Sequence, residues 1–282
     1  MEQKARSDGH AQASESWIVA PLRHPVGMYV HIPFCRSRCR YCDFYVETGV
    51  SARVLDNTLR RVLEEARFFM DAMGRPPVST VYIGGGTPSL IPPETLRGFL
   101  QRLAHELDLD EHGGRLHEWT IEANPESLTA DFIDVLKESP VDRLSVGVQS
   151  FQDHLLRLLG RRAHRDTVLA ALDLLAQRWD GRLTLDIMTG IPGQGEEDLQ
   201  ADLDTVISWD PGHVSLYALT VEPETPLSQA IAAHTIEPLD AERADAYWLA
   251  ARRHLEDHGY GWYEISNFAK PGQHSRHNMM YW

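Results

Sequence analysis

The sequence predicts an α/β protein whose core is a partial, TIM-like (β/α)6 barrel. Three observations predict it. Short runs rich in β-branched and aromatic residues alternate six times with stretches of helical period. Turn residues such as Gly84-Gly85-Gly86, Asn124-Pro125 and Gly190-Ile191-Pro192-Gly193 punctuate the strand ends. The 282 residues are enough for one barrel-sized unit. Strands separated each time by a helix belong to a parallel sheet, which right-handed crossovers curl.

The first strand is expected at about Met28–Ile32, followed by a cysteine-rich loop. A helix over Ala52–Met73 puts Leu55, Leu59, Val62, Leu63, Ala66 and Phe69 on one face. Val78–Ile83 is the second strand, and Pro92-Pro93-Glu94 opens a helix to about Leu107. Glu118–Ala123 is the third strand, and the helix after it starts at Thr129 and Asp131. Arg143–Val148 is the fourth, with helices at Asp153–Leu159 and Arg165–Arg178 separated by Gly160. Leu183–Met188 and His213–Thr220 are the fifth and sixth, with a helix to about Trp209 between them. A proline-containing loop leads to a helix at Ala241–Asp257. Gly261–Phe268 reads as strand or loop, and a polar stretch follows to Trp282. The expected organisation is a disordered tail at 1–20, the barrel over 21–260, and at 261–282 the start of a further region. The apolar-aromatic ending Met279-Met280-Tyr281-Trp282 suggests that this region is truncated.

The formal charge of −14 argues against a nucleic-acid backbone or an anionic membrane surface as partner. No apolar run approaches the roughly 18–20 residues of a membrane span. Met1–Trp17 is polar, with no apolar signal-peptide core. Three cysteines make a poor disulfide framework, and a reducing cytoplasm suits them best.

All three cysteines lie within eight residues, as Cys35, Cys39 and Cys42, on the loop after the first strand. Their C-x3-C-x2-C spacing favours an iron–sulfur cluster over zinc held by three cysteines and a histidine, and both over free thiols. Parallel α/β folds place their sites at the carboxyl ends of the strands. Gly86 and Thr87 follow the second strand, Glu122 lies on the third, Gln149 ends the fourth and Asp186 lies on the fifth. These groups converge with the cysteines on one face and are suited to gripping a small polar ligand. Arg161 is either a carboxylate grip or a solvated helix-end charge.

These residues resemble a known family. Cys35, Cys39 and Cys42, with Tyr41 before the last, resemble the radical S-adenosylmethionine (SAM) superfamily. The strings Tyr29-Val30-His31-Ile32-Pro33-Phe34, Gly84-Gly85-Gly86-Thr87-Pro88, Glu122-Ala123-Asn124-Pro125-Glu126, Ser145-Val146-Gly147-Val148-Gln149-Ser150-Phe151 and Tyr263-Glu264-Ile265-Ser266-Asn267-Phe268 are more specific. Together they resemble the oxygen-independent coproporphyrinogen III oxidase-like group, and most of all its haem chaperone branch. The resemblance implies a [4Fe–4S] cluster on the three cysteines. It also implies SAM on the open iron, contacted by Tyr29, Tyr41, Gly86, Thr87, Glu122, Gln149, Arg161 and Asp186. It further implies a C-terminal helical domain, largely absent from this chain.

Two positions choose between branches. The decarboxylating oxidases of the group carry a fourth cysteine two residues after the third, where this chain has Phe44. The closing His277-Asn278-Met279-Met280-Tyr281-Trp282 matches a haem-binding signature of the chaperone branch. His277 would be an axial ligand, with Tyr281 and Trp282 as flat apolar surface; the bland alternative is a surface histidine beside a packing anchor. The expectation is a cytoplasmic SAM- and cluster-binding haem chaperone, with haem, a haem-acceptor protein and an electron donor as partners. The alternative is oxidative decarboxylation of coproporphyrinogen III.

Overall fold

The computed structural model describes residues 21–109 and 116–282. The tail expected at 1–20 lies outside the described residues. β1 (Val26–Ile32) leads into a two-residue strand, β2 (Phe34–Cys35), which pairs in parallel with β3 (Glu47–Thr48) beyond the cysteine loop. The chain then runs through α1 (Ala52–Ala72), β4 (Val78–Gly85), α2 (Pro93–Glu106), β5 (Glu118–Ala123), α3 (Ala130–Lys137), β6 (Arg143–Gln149), α4 (Asp153–Leu159), α5 (Arg165–Arg178), β7 (Arg182–Thr189), α6 (Glu196–Trp209), β8 (His213–Ala218), α7 (Pro226–Ala232), α8 (Ala241–Asp257), β9 (Gly261–Trp262) and β10 (Asn267–Ala269). The order in the main sheet is β1-β4-β5-β6-β7-β8-β10-β9. The first six strands are parallel, as the alternation predicts, and β10 and β9 close the series antiparallel.

Helices form where caps and periodicity agree. Ser51 caps α1, accepting from the Val54 N–H, and Leu55, Leu59, Leu63, Ala66 and Met70 turn its buried face to the sheet. Thr129 caps α3 and Asp240 caps α8 in the same way. The loop expected before α8 contains a helix, α7, with Thr225 as cap and Pro226 as first residue.

The two faces of the sheet differ in chemistry. Val81, Ile83, Trp119, Ile121, Leu144, Val146, Leu185, Ile187, Val214 and Leu216 are fully buried and belong to the apolar core. Their strand neighbours, on the opposite concave face, are largely polar. In-register pairing sets Thr80 beside Glu118, Thr120 beside Arg143, Ser145 beside Thr184, and Asp186 beside Ser215. A polar bore must have its hydrogen bonds met from within.

The C-terminal stretch meets them. Glu118, 0% exposed on its side chain, accepts from Arg143 Nε at 3.0 Å and Arg182 Nη1 at 3.2 Å. It also accepts from Ser275 Oγ at 2.9 Å, and from the backbone N–H groups of Arg276 at 3.0 Å and His277 at 3.1 Å. Arg143 Nη2 in turn donates to the carbonyls of Gln273 and His274. Burial raises the Glu118 carboxyl, but Arg143 and the donors of 275–277 outweigh it and hold it below the usual range. Residues 273–277, expected from sequence to be a polar tail, fill the strand-start end of the bore.

Candidate cofactor site

The cysteine loop is stitched to three neighbours. Gly86 N–H donates to the Ile32 carbonyl and Thr87 N–H to the Phe34 carbonyl, both at 2.8 Å. On the other side Arg40 N–H donates to Leu159 O, and Leu227 N–H to Arg40 O. Two glycines make these approaches possible. A Cβ on Gly86 would lie 2.6 Å from Ile32 O and 2.7 Å from Phe34 O. Gly160 ends α4 in the left-handed region at φ 73°, and a Cβ there would sit 3.2 Å from the Arg40 nitrogen. The glycine-rich turn after β4 therefore braces the cysteine strand as well as lining the pocket.

A cavity of about 540 Å³ opens beside the loop, with Cys35, Cys39, Cys42 and Tyr41 on one wall. Gly86, Thr87, Glu122, Gln149, Arg161 and Asp186 line the rest, so the structure brings these predicted groups together. Tyr29 is elsewhere, on the edge strand: its hydroxyl meets His31 Nδ1 at 3.2 Å and its ring stacks on Tyr82. His277, Tyr281 and Trp282 do not line this cavity.

Three residues that sequence reasoning did not single out, Asn124, Tyr217 and Glu126, complete the wall, and Tyr82 supports it from behind. Asn124 is the hub: its Nδ2 donates to Thr87 Oγ1 at 3.0 Å, and its Oδ1 accepts from Arg161 Nη2 at 2.9 Å. Thr87 Oγ1 lies 3.5 Å from Cys35 Sγ, and Arg161 Nη1 lies 3.8 Å from Cys39 Sγ. The Asn124–Arg161 pair thus ties the end of β5 to the cysteines. The string Glu122-Ala123-Asn124-Pro125-Glu126 contained the signal. Tyr82 donates to Glu122 at 2.8 Å, and Tyr217 and Glu126 line the cavity.

Two carboxylates define the electrostatics. Glu122 also accepts from Gly85 N–H at 3.0 Å, and burial raises its carboxyl against those donors and the nearby His31. Asp186 accepts from Ser145 Oγ at 3.1 Å; burial first, and Glu122 second, push it up to about 7. Such a pair favours a ligand carrying positive charge or hydroxyl donors. Buried atoms await a partner as well: Arg161 Nε and Glu126 Oε2 have none. Gln149 stands at φ 71°, a left-handed conformation that costs a non-glycine residue roughly 1–2 kcal/mol.

The donor set fits an iron–sulfur cluster. All three thiols are free and half-buried, and the chain has no fourth cysteine. Among the described residues no three His, Cys, Asp or Glu side chains are placed to hold a single metal ion. A cluster takes each thiolate on a different iron and spreads its ligands further apart, leaving one iron for a small ligand.

Fold and site together define a class: a curled parallel α/β sheet with a three-thiolate centre and an acidic, polar ligand pocket at its strand ends. A family model described as the Radical SAM superfamily matches residues 29–206. The chain is 35% identical to the haem chaperone HemW of Bacillus subtilis over 255 residues, which is 90% of this chain and 66% of that one. It is 37% identical to HemW of Mycobacterium tuberculosis over 272 residues, 94% of this chain and 67% of that one. Among solved structures, the radical SAM coproporphyrinogen III oxidase HemN of Escherichia coli matches with a TM-score of 0.72. That match has 23% identity, over 89% of this chain and 56% of HemN, and shows the fold. The chain belongs to the radical SAM superfamily, whose cofactors are a [4Fe–4S] cluster and SAM. Within it, the chain groups with the HemW proteins.

Of the closing signature, His277 is packed into the bore. His277 is 3% exposed; its Nδ1 meets Thr80 Oγ1 at 2.9 Å and its Nε2 meets Tyr281 Oη at 3.3 Å. Burial lowers the imidazole below its usual value against the opposing pull of Glu118. Tyr281 and Trp282 are 68% and 75% exposed.

Proposed function

We propose that this chain is the SAM- and cluster-binding part of a haem chaperone, which takes up haem and passes it to acceptor proteins. The observation that carries the reading is identity of 35% and 37% to HemW proteins across 90% and 94% of the chain. Because the chain spans about two thirds of those relatives, the activity of the whole protein is part of the proposal. Phe44 supports it. It stands at the rim of the cavity, 67% exposed, where decarboxylating relatives carry a fourth cysteine.

In this reading Cys35, Cys39 and Cys42 hold the cluster. When bound, it supplies an iron without a protein ligand, and a site for one electron from a donor protein. Asp186 and Glu122 face the cationic and hydroxyl groups of SAM. Arg161 directs its unpartnered Nε toward a carboxylate, and Asn124 fixes its angle. Gly86 and Thr87 offer close backbone approach, Gln149 a carboxamide, and Tyr41 an apolar wall. Tyr29 acts through its stacking on Tyr82, the donor to Glu122. No helix among the described residues is long and apolar enough to cross a membrane. The free thiols suit a reducing compartment, and we place the protein in the cytoplasm.

Haem ligation by His277 carries a structural condition. Its Nε2 must leave the Tyr281 hydroxyl, which requires the 3-10 turn at Asn278–Tyr281 to swing outward. The exposed Tyr281 and Trp282 would then cover the porphyrin face. Titrating the protein with haem tests this. The reading expects a Soret shift that saturates at one haem per chain and is lost or displaced in His277→Ala. An absent shift, or one unchanged in the variant, removes the ligand role.

A further inference from the structure

One buried carboxylate behind the pocket has no part in the site as described. Asp202, on α6, is fully buried. Three donors converge on it: Ser150 Oγ at 2.6 Å, Phe151 N–H at 2.8 Å and Gln152 Nε2 at 2.9 Å. All three are neutral, and they come from consecutive residues. A buried carboxylate is expensive to keep without such donors.

Helix capping does not explain the arrangement. α4 begins at Asp153 with Gln152 at its cap position. A capping side chain accepts from N–H groups inside the first turn. Asp202 instead grips Ser150 and Phe151, which precede the cap and directly follow Gln149.

Gln149 is the residue whose backbone needs holding. Its φ is 71°. The β6–β7 ladder slips there, pairing Gly147 with Asp186 and then Gln149 with Ile187. Irregularities of this kind re-aim a side chain. Gly147 leaves the room: a Cβ on it would lie 3.0 Å from Gln149 Nε2 and 3.1 Å from Asn124 Oδ1. The Gln149 carboxamide therefore lies over Gly147, against the Asn124–Arg161 pair on the cavity wall.

We propose that Asp202 is a positioning residue for the SAM pocket: by locking residues 150–152 it holds Gln149 left-handed, with its carboxamide turned to the ligand. The proposal rests on the SAM reading above.

The test is a double-mutant cycle on the reconstituted protein, with SAM as the calorimetric probe. Asp202→Asn is expected to weaken SAM about tenfold, which is about 1.4 kcal/mol. The double variant Asp202→Asn/Gln149→Ala is expected to bind no more weakly than Gln149→Ala alone, because Asp202 acts through Gln149. SAM affinity unchanged in Asp202→Asn, or a fully additive loss in the double variant, overturns the proposal. Ser150→Ala removes one donor at milder structural risk and is expected to show the same dependence on Gln149.

A second readout needs no ligand. Amide hydrogen exchange at residues 149–152 should quicken in Asp202→Asn and Ser150→Ala but not in Gln149→Ala. Unchanged protection in the first two overturns the proposal by itself. Should the unsubstituted protein bind no SAM, the functional reading falls, and the exchange result alone decides the role of Asp202.

Discussion

Glu118→Gln should be among the most damaging single substitutions in the barrel. The glutamine keeps the shape and removes the charge that faces Arg143 and Arg182. Arg143 is 1% exposed and cannot turn to water, although Thr184 Oγ1 and the carbonyls of Gln273 and His274 still accept from it. Breaking a buried pair on one side costs about 3–5 kcal/mol. For a chain of this size that is a loss of roughly 6–20 °C in melting temperature, at about 2–4 °C per kcal/mol. The amide also presents one oxygen where the carboxylate accepted from Ser275, Arg276 and His277. Exchange protection over 275–281 should therefore fall further than over β6 or β7. The effect has a definite pH sign. The Glu118 carboxyl is held low, so its contribution is present above the ordinary glutamate range and is lost as pH falls through its lowered value. The two proteins should converge in acid. Thermal melts at pH 7.5 and pH 3.5, with hydrogen exchange, make the measurement. A melting temperature within about 2 °C of the unsubstituted protein at pH 7.5, at the few °C per kcal/mol above, would refute the reasoning.

Gly86→Ala should lose both stability and bound iron, because its Cβ would press on the Ile32 and Phe34 backbone, which cannot give way; about 1–3 kcal/mol of destabilisation is expected, read by denaturant melts and iron analysis. Asp186→Asn should stabilise the ligand-free chain most at pH 8, less at pH 5, and not below the ordinary aspartate range. Asp186 is raised to about 7, so the native state binds this proton more tightly, and stability is lost as pH rises from the ordinary aspartate range to 7. The difference is at most ~4 kcal/mol, less where water enters the pocket, and a difference independent of pH would contradict it.

Much of the fold is legible in the sequence because strand and helix differ in period. Glu118–Ala123, Asp153–Leu159, Arg165–Arg178 and Ala241–Asp257 appear with the limits that their patterns predict. α7 escapes because seven residues give too few turns for a period to show, although Thr225-Pro226 signals its start. In the site, groups in recognisable strings or at strand ends are readable: the three cysteines, Thr87, Glu122 and Asp186. Asn124 lies in such a string, but its role is not readable there, because it is a bridge to residues 37 positions away in sequence on either side. Nor is Glu118, which looks like any charge opening a strand. Only the register, which turns Thr80, Arg143 and Thr184 to the same concave face, shows that it must be buried and what it must bind. The placement of His277 follows from that face, not from its own neighbours in sequence.

The most direct test of the account offers both candidate substrates to the anaerobically reconstituted protein with SAM and a reductant. With coproporphyrinogen III the account predicts no protoporphyrinogen IX. With haem it predicts stoichiometric uptake that moves to an added haem-free acceptor. Formation of protoporphyrinogen IX, with Phe44 in place of the fourth cysteine, would contradict the chaperone reading and make the chain a decarboxylase.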